Sequence, residues 1–391
     1  MMTLVSSVAP APPATLHALH IGMNWLPERP GGGLDRMVHG LMTHLPEAGV
    51  ATRGLVTGRP AIDDHTVRAF ARPEAPLPQR LWAVRQAFQA AAAHHSPDVV
   101  AAHFALYAAP LLPSLQAPLV MHFHGPWAAE AQAEGEGTWG VAFKRRIEQM
   151  VYRRAAAFIV LSDAFRDVLH TSYGVPYPRI HVVPGGVAAD QFAVDGPPRA
   201  ARHRLGWPTD RPIVLSVRRL AHRMGLERLI DAVEHVRTRV PDVLVYIAGK
   251  GPLQQVLEAR IAARGLSDHI RLLGFVPDAD LPYAYRAATL SVVPTVSLEG
   301  FGLITVESMA AGTPVLVTPV GGLPETVRGL DPGLVLPDAS TGALADGLAH
   351  ALQHPHLLPT AAACQQHVRR TFDWPVIARR TRSVYEQVLS S

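Results

Sequence analysis

Short apolar runs alternate with amphipathic stretches along the chain, and this alternation predicts most of its elements. Leu16–Trp25 reads as a buried strand. It is followed by Gly31-Gly32-Gly33 and by Leu34–Leu45, where Leu34, Met37, Val38, Leu41 and Met42 fall at helical spacing. Val50–Thr57 predicts the next strand, Leu81–Ala93 an Ala-rich helix, and Asp98–Phe104 and Pro118–His124 two short strands. Phe143–Ala156 predicts an amphipathic helix, Ala157–Leu161 a strand and Ser162–Ser172 a helix. Ile180–Val183 predicts a last strand that runs into Pro184-Gly185-Gly186. Strands that alternate with helices imply a parallel sheet covered on both faces.

After the polar stretch Asp195–Arg211 the same pattern restarts. Strands are expected at Pro212–Val217, Val243–Ala248, Ile270–Leu273, Leu290–Val293, Val315–Val317 and Leu334–Leu336, and helices at Leu226–Val240 and Leu253–Arg264. Two such sets, divided near residues 190–210, predict an α/β protein of two Rossmann-like domains facing a cleft. The expected order is a flexible leader (1–14), an N-terminal domain (15–195), a C-terminal domain (196–370) and a terminal amphipathic helix (371–391, with Trp374–Leu389 its periodic part). No short repeat of fixed period is present, so a solenoid is excluded.

Composition narrows this picture. With 391 residues, of which 48% are hydrophobic and 17% charged, the chain has material for two cores. The single cysteine, Cys364, excludes an intrachain disulfide framework and a Cys-rich zinc site, and fits a reducing compartment. The net charge of +4, carried on the positive side almost wholly by Arg, suits an anionic small ligand and not a nucleic acid. No apolar run approaches the roughly 18 residues of a membrane span. The leader lacks the basic start and apolar run of a signal peptide, so a cytoplasmic location is expected.

The stretch from Ser291 to Glu325 carries the most chemistry. A strand ends near Pro294, a loop bears Glu299-Gly300-Phe301-Gly302, and a helix begins at Leu303. Glycines beside Phe301 allow close backbone approach to a ligand, and the helix N-terminus offers unpaired N–H groups to a diphosphate. Glu299 lies before the helix and Glu307 one turn inside it. Carboxylates accept from pairs of sugar hydroxyls, so one could hold a hexose and the other a ribose; taken singly, each could equally be a helix-start charge.

Glu299, Phe301, Gly302, Leu303, Glu307, Met309, Ala310, Gly312, Pro314 and Val315 together resemble the signature of retaining GT-B glycosyltransferases of the family 4 type. Pro184-Gly185-Gly186-Val187 with Asp190 and Phe192, Val217-Arg218-Arg219-Leu220 with Met224-Gly225, and Ala248-Gly249-Lys250-Gly251-Pro252-Leu253 resemble further motifs of that family. So do Gly274-Phe275-Val276, Leu281, Tyr285, Phe372-Asp373-Trp374 and Tyr385, and the resemblance covers roughly the last 200 residues. It implies that Glu299 binds the transferred sugar, helped by the amides of Phe301 and Gly302, that Glu307 binds the ribose, and that Arg219 neutralises the diphosphate. It also places Gly32, Gly33, Gly249, Gly300, Leu303 and Val276 at the donor site, Val276 beside the base, and implies an acceptor side on the N-terminal domain, a donor side on the C-terminal domain and a final helix (371–391) that packs back on the N-terminal domain. The family usually has Lys before the Gly where this chain has Met224. Either Arg223 reaches the phosphate in its place or the charge is missing.

In the N-terminal half, Pro30-Gly31-Gly32-Gly33-Leu34-Asp35-Arg36 resembles the family's Gly-rich loop and is not a nicotinamide fingerprint, since position 36 is Arg. The family often has a His at the end of the strand that here carries His122 and His124. His124, followed by Gly125, matches it, while His122 points to the same side as a support and His103 is a weaker candidate. The helical stretch Phe143–Arg154 sets Lys144, Arg145, Arg146, Arg153 and Arg154 around an apolar stripe of Phe143, Ile147, Met150 and Val151. It reads as a packed amphipathic helix or as a rest on an anionic membrane.

The resulting expectation is a hexosyltransferase that retains anomeric configuration and needs no metal. Its donor is a UDP- or GDP-linked sugar, and its acceptor a hydroxyl of a glycan, a lipid-linked molecule or a small molecule. His124, Glu299 and Arg219 are the expected catalytic residues. Neither a cofactor nor a metal site is expected, because no Asp-x-Asp follows an apolar strand and no His/Cys ligands cluster. Two alternatives stay open: a sugar-nucleotide epimerase or hydrolase on the same frame, or a non-catalytic sugar-nucleotide-binding subunit. The acceptor is expected to be set by first-domain loops such as Trp127–Trp139.

Overall fold

The computed structural model describes residues 15–25, 32–58 and 66–390. The expected leader, and Pro30 and Gly31 of the Gly-rich loop, lie outside the described residues. Two wholly parallel sheets are present. The first contains β1 (Leu16–Asn24), β2 (Val50–Thr57), β3 (Val67–Ala71), β4 (Val99–Ala102), β5 (Leu119–Phe123), β6 (Ala157–Val160) and β7 (Ile180–Val182) in the order β3-β2-β1-β4-β5-β6-β7. The second contains β8 (Ile213–Val217), β9 (Leu244–Ala248), β10 (Ile270–Gly274), β11 (Leu290–Val293) and β12 (Val315–Val317) in the order β10-β9-β8-β11-β12. Central strands such as β4, β6, β9 and β11 are buried at every residue. Helices cover both faces of a parallel sheet, so these strands need apolar side chains on both sides.

Each sheet reverses its winding beside its first strand, between β1 and β4 and between β8 and β11. Strand carboxyl ends part there and leave a crevice, which is where doubly wound sheets bind ligands.

The chain crosses between domains twice, and the crossings lie side by side. Val187 and Asp373 form a parallel bridge, with Val187 N donating to Phe372 O at 2.9 Å and Ala189 N to Asp373 Oδ1 at 3.1 Å. The helix Trp374–Leu389 then returns to the first domain. Its Trp374, Ile377, Ala378, Val384 and Tyr385 join one core with Met37 and Leu41 of the helix Gly33–His44 and with Leu45 just past it. Trp374 lies over Gly40, where a Cβ would overlap the indole. Burying side chains of this size contributes roughly 1.5–3 kcal/mol each, enough to hold the tail in place.

Several expectations need correction. Val67–Ala71 is a strand that the sequence does not announce: it is a half-exposed edge with a single buried residue. Leu334–Leu336 is not a strand; Pro332–Leu334 forms a 3₁₀ turn and Val335 makes one isolated bridge to Val317. Trp127–Trp139 is mostly helical, with a helix at Trp127–Ala133 and another starting at Thr138. The helix Thr138–Arg154 buries Ile147 and Val151 but exposes Phe143 and Met150, so the expected single stripe splits between two faces. An Asp-x-Asp does follow a strand: Asp278-Ala279-Asp280 comes after β10, with Asp278 paired to Arg36 at 2.6 Å and Asp280 to Arg204 at 3.5 Å. Among the described residues no helix is long and apolar enough to cross a membrane.

Candidate active site

The loop after β11 aims Glu299 into the crevice. Leu298 is the one non-glycine residue at positive φ (54°) among the described residues, a conformation that costs roughly 1–3 kcal/mol. Three hydrogen bonds hold the loop there. Arg223 Nη1 donates to Leu298 O at 2.7 Å, Val296 N to Arg223 O at 2.9 Å, and Gly322 N to Glu299 O at 3.0 Å. Arg223 is therefore a clamp on this loop. Its charge also opposes the burial that raises the carboxyl pKa of Glu130, on the helix Trp127–Ala133 across the cleft.

Glu299 itself faces Arg218. The Nη2 of Arg218 lies 2.6 Å from Glu299 Oε2, 2.7 Å from Thr295 Oγ1 and 2.6 Å from Met224 Sδ. The Arg218 side chain is 6% exposed and that of Glu299 15%, so this ion pair is largely removed from water. The sequence pointed to Arg219, but successive residues leaving a strand point to opposite sides. Arg219 is 58% exposed and faces Glu134 of the first domain at 3.6 Å. Gly249 (φ +139°) supports the pair from below, because a Cβ there would overlap the carbonyl of Arg218.

Phe301 contributes only backbone to the cleft; its ring is buried and meets Phe372 at 5.6 Å. The N–H groups of Phe301 and Gly302 have no protein acceptor among the described residues. The flanking glycines serve protein contacts as well. A Cβ on Gly300 would lie 2.6 Å from Phe165 of the first domain, and Gly302 has φ +85° against Leu323. Gly32, which precedes the helix Gly33–His44, has nothing within 4 Å of its Cβ position, whereas Gly33 faces Leu303 Cδ1 at 3.6 Å across the cleft.

Glu307 sits in different surroundings. It is buried on the helix Leu303–Ala310 and accepts from Tyr285 Oη at 3.0 Å. Burial raises its carboxyl pKa, and the charge of Arg36 opposes the rise. It lines a cavity of about 160 Å³ with Arg36, His39, Leu303 and Trp374; Glu299 is not part of that lining. Arg36 bridges to Asp278, two residues beyond the half-buried Val276, so both domains frame this end of the cleft.

His124 follows β5 with its Nε2 3.1 Å from His103 Nδ1, and His103 Nε2 is 3.0 Å from His20 Nδ1. Burial lowers the pKa of His124 to about 4, so the ring is neutral at pH 7. His122 does not support His124 directly. It bonds Tyr385 Oη at 2.9 Å and stacks on His103, with centroids 4.4 Å apart. Gly125 leaves room for Glu130, whose Oε1 is 2.7 Å from the Cβ position of that glycine. Arg218, Arg36, Glu130 and Tyr285 are thus cleft residues to which the sequence reading gave no role. Strand parity could have separated Arg218 from Arg219, whereas nothing in the sequence ties Glu130 to the site.

Comparison with known proteins agrees with this geometry. Residues 199–371 match the family model Glycosyl transferases group 1, and residues 31–191 match Glycosyltransferase Family 4. A phosphatidyl-myo-inositol mannosyltransferase of Mycobacterium tuberculosis is 31% identical over 304 residues, 76% of each chain. That of Mycobacterium leprae is 34% identical over 54% of each chain, and an alpha-D-kanosaminyltransferase of Streptomyces kanamyceticus is 34% identical, again over 54% of each. Among solved structures, sucrose-phosphate synthase from Thermosynechococcus elongatus superposes with a TM-score of 0.81 at 23% identity, covering 96% of this chain and 99% of that one. Anabaena HepE in complex with UDP and glucose gives 0.76 at 21% identity, covering 95% and 100%. On its sequence matches and its two facing parallel-sheet domains, the chain belongs to the family 4 type of GT-B glycosyltransferases.

Proposed function

We propose that the protein moves a hexose-type sugar, with retention at the anomeric carbon and without a metal, from a UDP- or GDP-linked donor to an acceptor hydroxyl. The observation that carries this reading is the buried Arg218–Glu299 pair at the mouth of the second sheet's crevice, opposite His124. Glu299 holds hydroxyls of the transferred sugar, and the free amides of Phe301 and Gly302 add donors. Arg218 is a fixed cation beside them. A cation already desolvated and oriented stabilises the charge that builds on the departing diphosphate without reorganising. Glu307, kept in place by Tyr285, takes the ribose, and Val276 lies beside the base. The acceptor hydroxyl attacks from the face the diphosphate leaves and gives up its proton to a phosphate oxygen.

Relatives named for phosphatidyl-myo-inositol and for D-inositol 3-phosphate support a polyol or lipid-linked acceptor. The helix Thr138–Arg154 favours a lipid surface. Trp139 (89% exposed), Phe143 and Met150 share one side with the exposed Arg146 and Arg153 at helical spacing, which suits peripheral contact with an anionic membrane.

A panel of UDP-, GDP- and ADP-sugars, screened by thermal stabilisation and followed by NMR of the product's anomeric centre, tests the proposal. One UDP- or GDP-sugar should stabilise the chain and give a glycoside of unchanged anomeric configuration, undiminished in EDTA. An altered or hydrolysed nucleotide sugar with no glycoside would favour an epimerase or hydrolase, and binding without turnover a silent subunit.

A further inference from the structure

A row of imidazoles crosses the first sheet from its interior to the cleft. His20 lies on β1, His103 just past β4 and His124 just past β5, and these strands are neighbours in the sheet. The parallel register sets His20 opposite Ala101 and Ile21 opposite Ala102, so His103, two residues past Ala101, projects on the same side as His20. Three rings spaced 83 and 21 residues apart in sequence thereby form one chain of contacts, His20 Nδ1 to His103 Nε2 at 3.0 Å and His103 Nδ1 to His124 Nε2 at 3.1 Å.

The chain has a direction. All three rings are buried or half-buried, and desolvation keeps them neutral. A neutral imidazole has one N–H and one bare nitrogen. His103 uses both of its nitrogens, so its two contacts run in the same sense. Either His124 donates inward to His103 and His103 to His20, or His20 donates outward to His103 and His103 to His124. The inner end decides between them. His20 Nε2 is buried with no partner among the described residues, and the inward sense would leave an N–H there. Orphaned buried N–H groups are rarer than under-used acceptors. The outward sense leaves only a bare lone pair on His20 and places the proton of His124 on Nδ1. That atom has no protein partner among the described residues, and the cleft ligand is rich in hydroxyl and phosphate oxygens that accept from it.

We propose that His103 and His20 are positioning residues that hold His124 as the tautomer protonated on Nδ1, so that it presents an N–H donor to the bound sugar-nucleotide. This rests on the reading of His124 as a donor-site residue. The sugar then meets a donor of fixed orientation, and no tautomer exchange precedes each turnover. His122, stacked on His103 and bonded to Tyr385 of the returning C-terminal helix, fixes the plane of the central ring.

Histidine-selective nitrogen NMR of the full chain tests the tautomer, with the His124 signals identified by their loss in His124→Gln. The expected spectrum has the proton on Nδ1 of His124 and a bare Nε2; a proton on Nε2 overturns the proposal. In His103→Leu the preference should vanish, with kcat lowered about tenfold or more and the donor KM changed less than about threefold. His103→Gln should recover most of that loss, since its amide can accept from His20 and donate to His124. Wild-type kcat in His103→Leu overturns the relay, as does a leucine variant no slower than the glutamine one. The donor-site reading fails separately: His124→Gln would transfer at the wild-type rate while the wild-type spectrum still showed the Nδ1 proton.

Discussion

The guanidinium of Arg218 lies 2.6 Å from the carboxylate of Glu299, and both side chains are nearly withdrawn from solvent. Their neighbour Arg219, one residue along, is mostly exposed. Arg218→Ala should lower kcat by about a hundredfold or more, because it removes a fixed cation and leaves Glu299 without a partner. Arg219→Ala should cost less than about tenfold, as expected of an exposed, water-screened pair. Steady-state kinetics with the donor found by the nucleotide-sugar panel checks the order, and the reverse ranking would return the phosphate role to Arg219.

Met224 occupies the position where the family resemblance leads one to expect Lys, yet its sulfur touches Arg218 Nη2 at 2.6 Å. A Lys there would force a second cation against a buried one. Met224→Lys should therefore lower the melting temperature and leave kcat no higher than wild type, as read by calorimetry and initial rates.

The seat of the C-terminal helix is sterically tight. Ala favours a helix by roughly 1 kcal/mol over Gly, so Gly40→Ala would stabilise an isolated helix. Here the new methyl overlaps Trp374, and overpacking costs typically about 1–3 kcal/mol. The expected result is net destabilisation by urea unfolding, largely relieved in Gly40→Ala/Trp374→Phe. Equal stability of wild type and Gly40→Ala would mean that the indole is not seated there.

Burial sets the pH response of the imidazoles. His20 and His124 fall from an ordinary 6.5 to about 4, and His103 and His122 also fall well below it. Between those values the unfolded chain takes up protons that the folded chain refuses. Stability from these groups is therefore complete above pH 6.5 and declines as pH drops toward 4. Unfolding titrations at pH 7, 6 and 5 should show this decline, flattened in His20→Phe.

How much of this was legible follows from what each feature depends on. Leu290–Val293 and Val315–Val317 emerge as strands with the bounds their apolar runs suggested, because parallel strands buried on both faces are almost wholly apolar, and Val50–Thr57 keeps its expected bounds although Arg53 within it is exposed. Val67–Ala71 was hidden because an edge strand needs no such run, and Leu334–Leu336 misled because an apolar triplet also fills a 3₁₀ turn. Glu299 and Glu307 were readable from a local motif. Arg218 is separable from its neighbour Arg219 only by strand parity, and the contacts of His103 with His20 and His124 exist only once the sheet order brings β1, β4 and β5 together.

The exposed aromatic and basic face of the helix Thr138–Arg154 gives a prediction independent of the active site. Sedimentation with phosphatidylserine-containing vesicles should pull down the wild type at low salt and much less of Trp139→Glu/Phe143→Glu. Turnover of a water-soluble acceptor should be unchanged in that variant.

The most direct test of the central claim compares wild type, Glu299→Ala and His124→Ala with the identified UDP- or GDP-sugar, measuring glycoside formed per minute alongside circular dichroism. The account predicts a new glycoside from wild type, a loss of about a hundredfold or more in both folded variants, and unchanged spectra. Wild-type rates in both variants would contradict the assignment of this cleft as the site of sugar transfer.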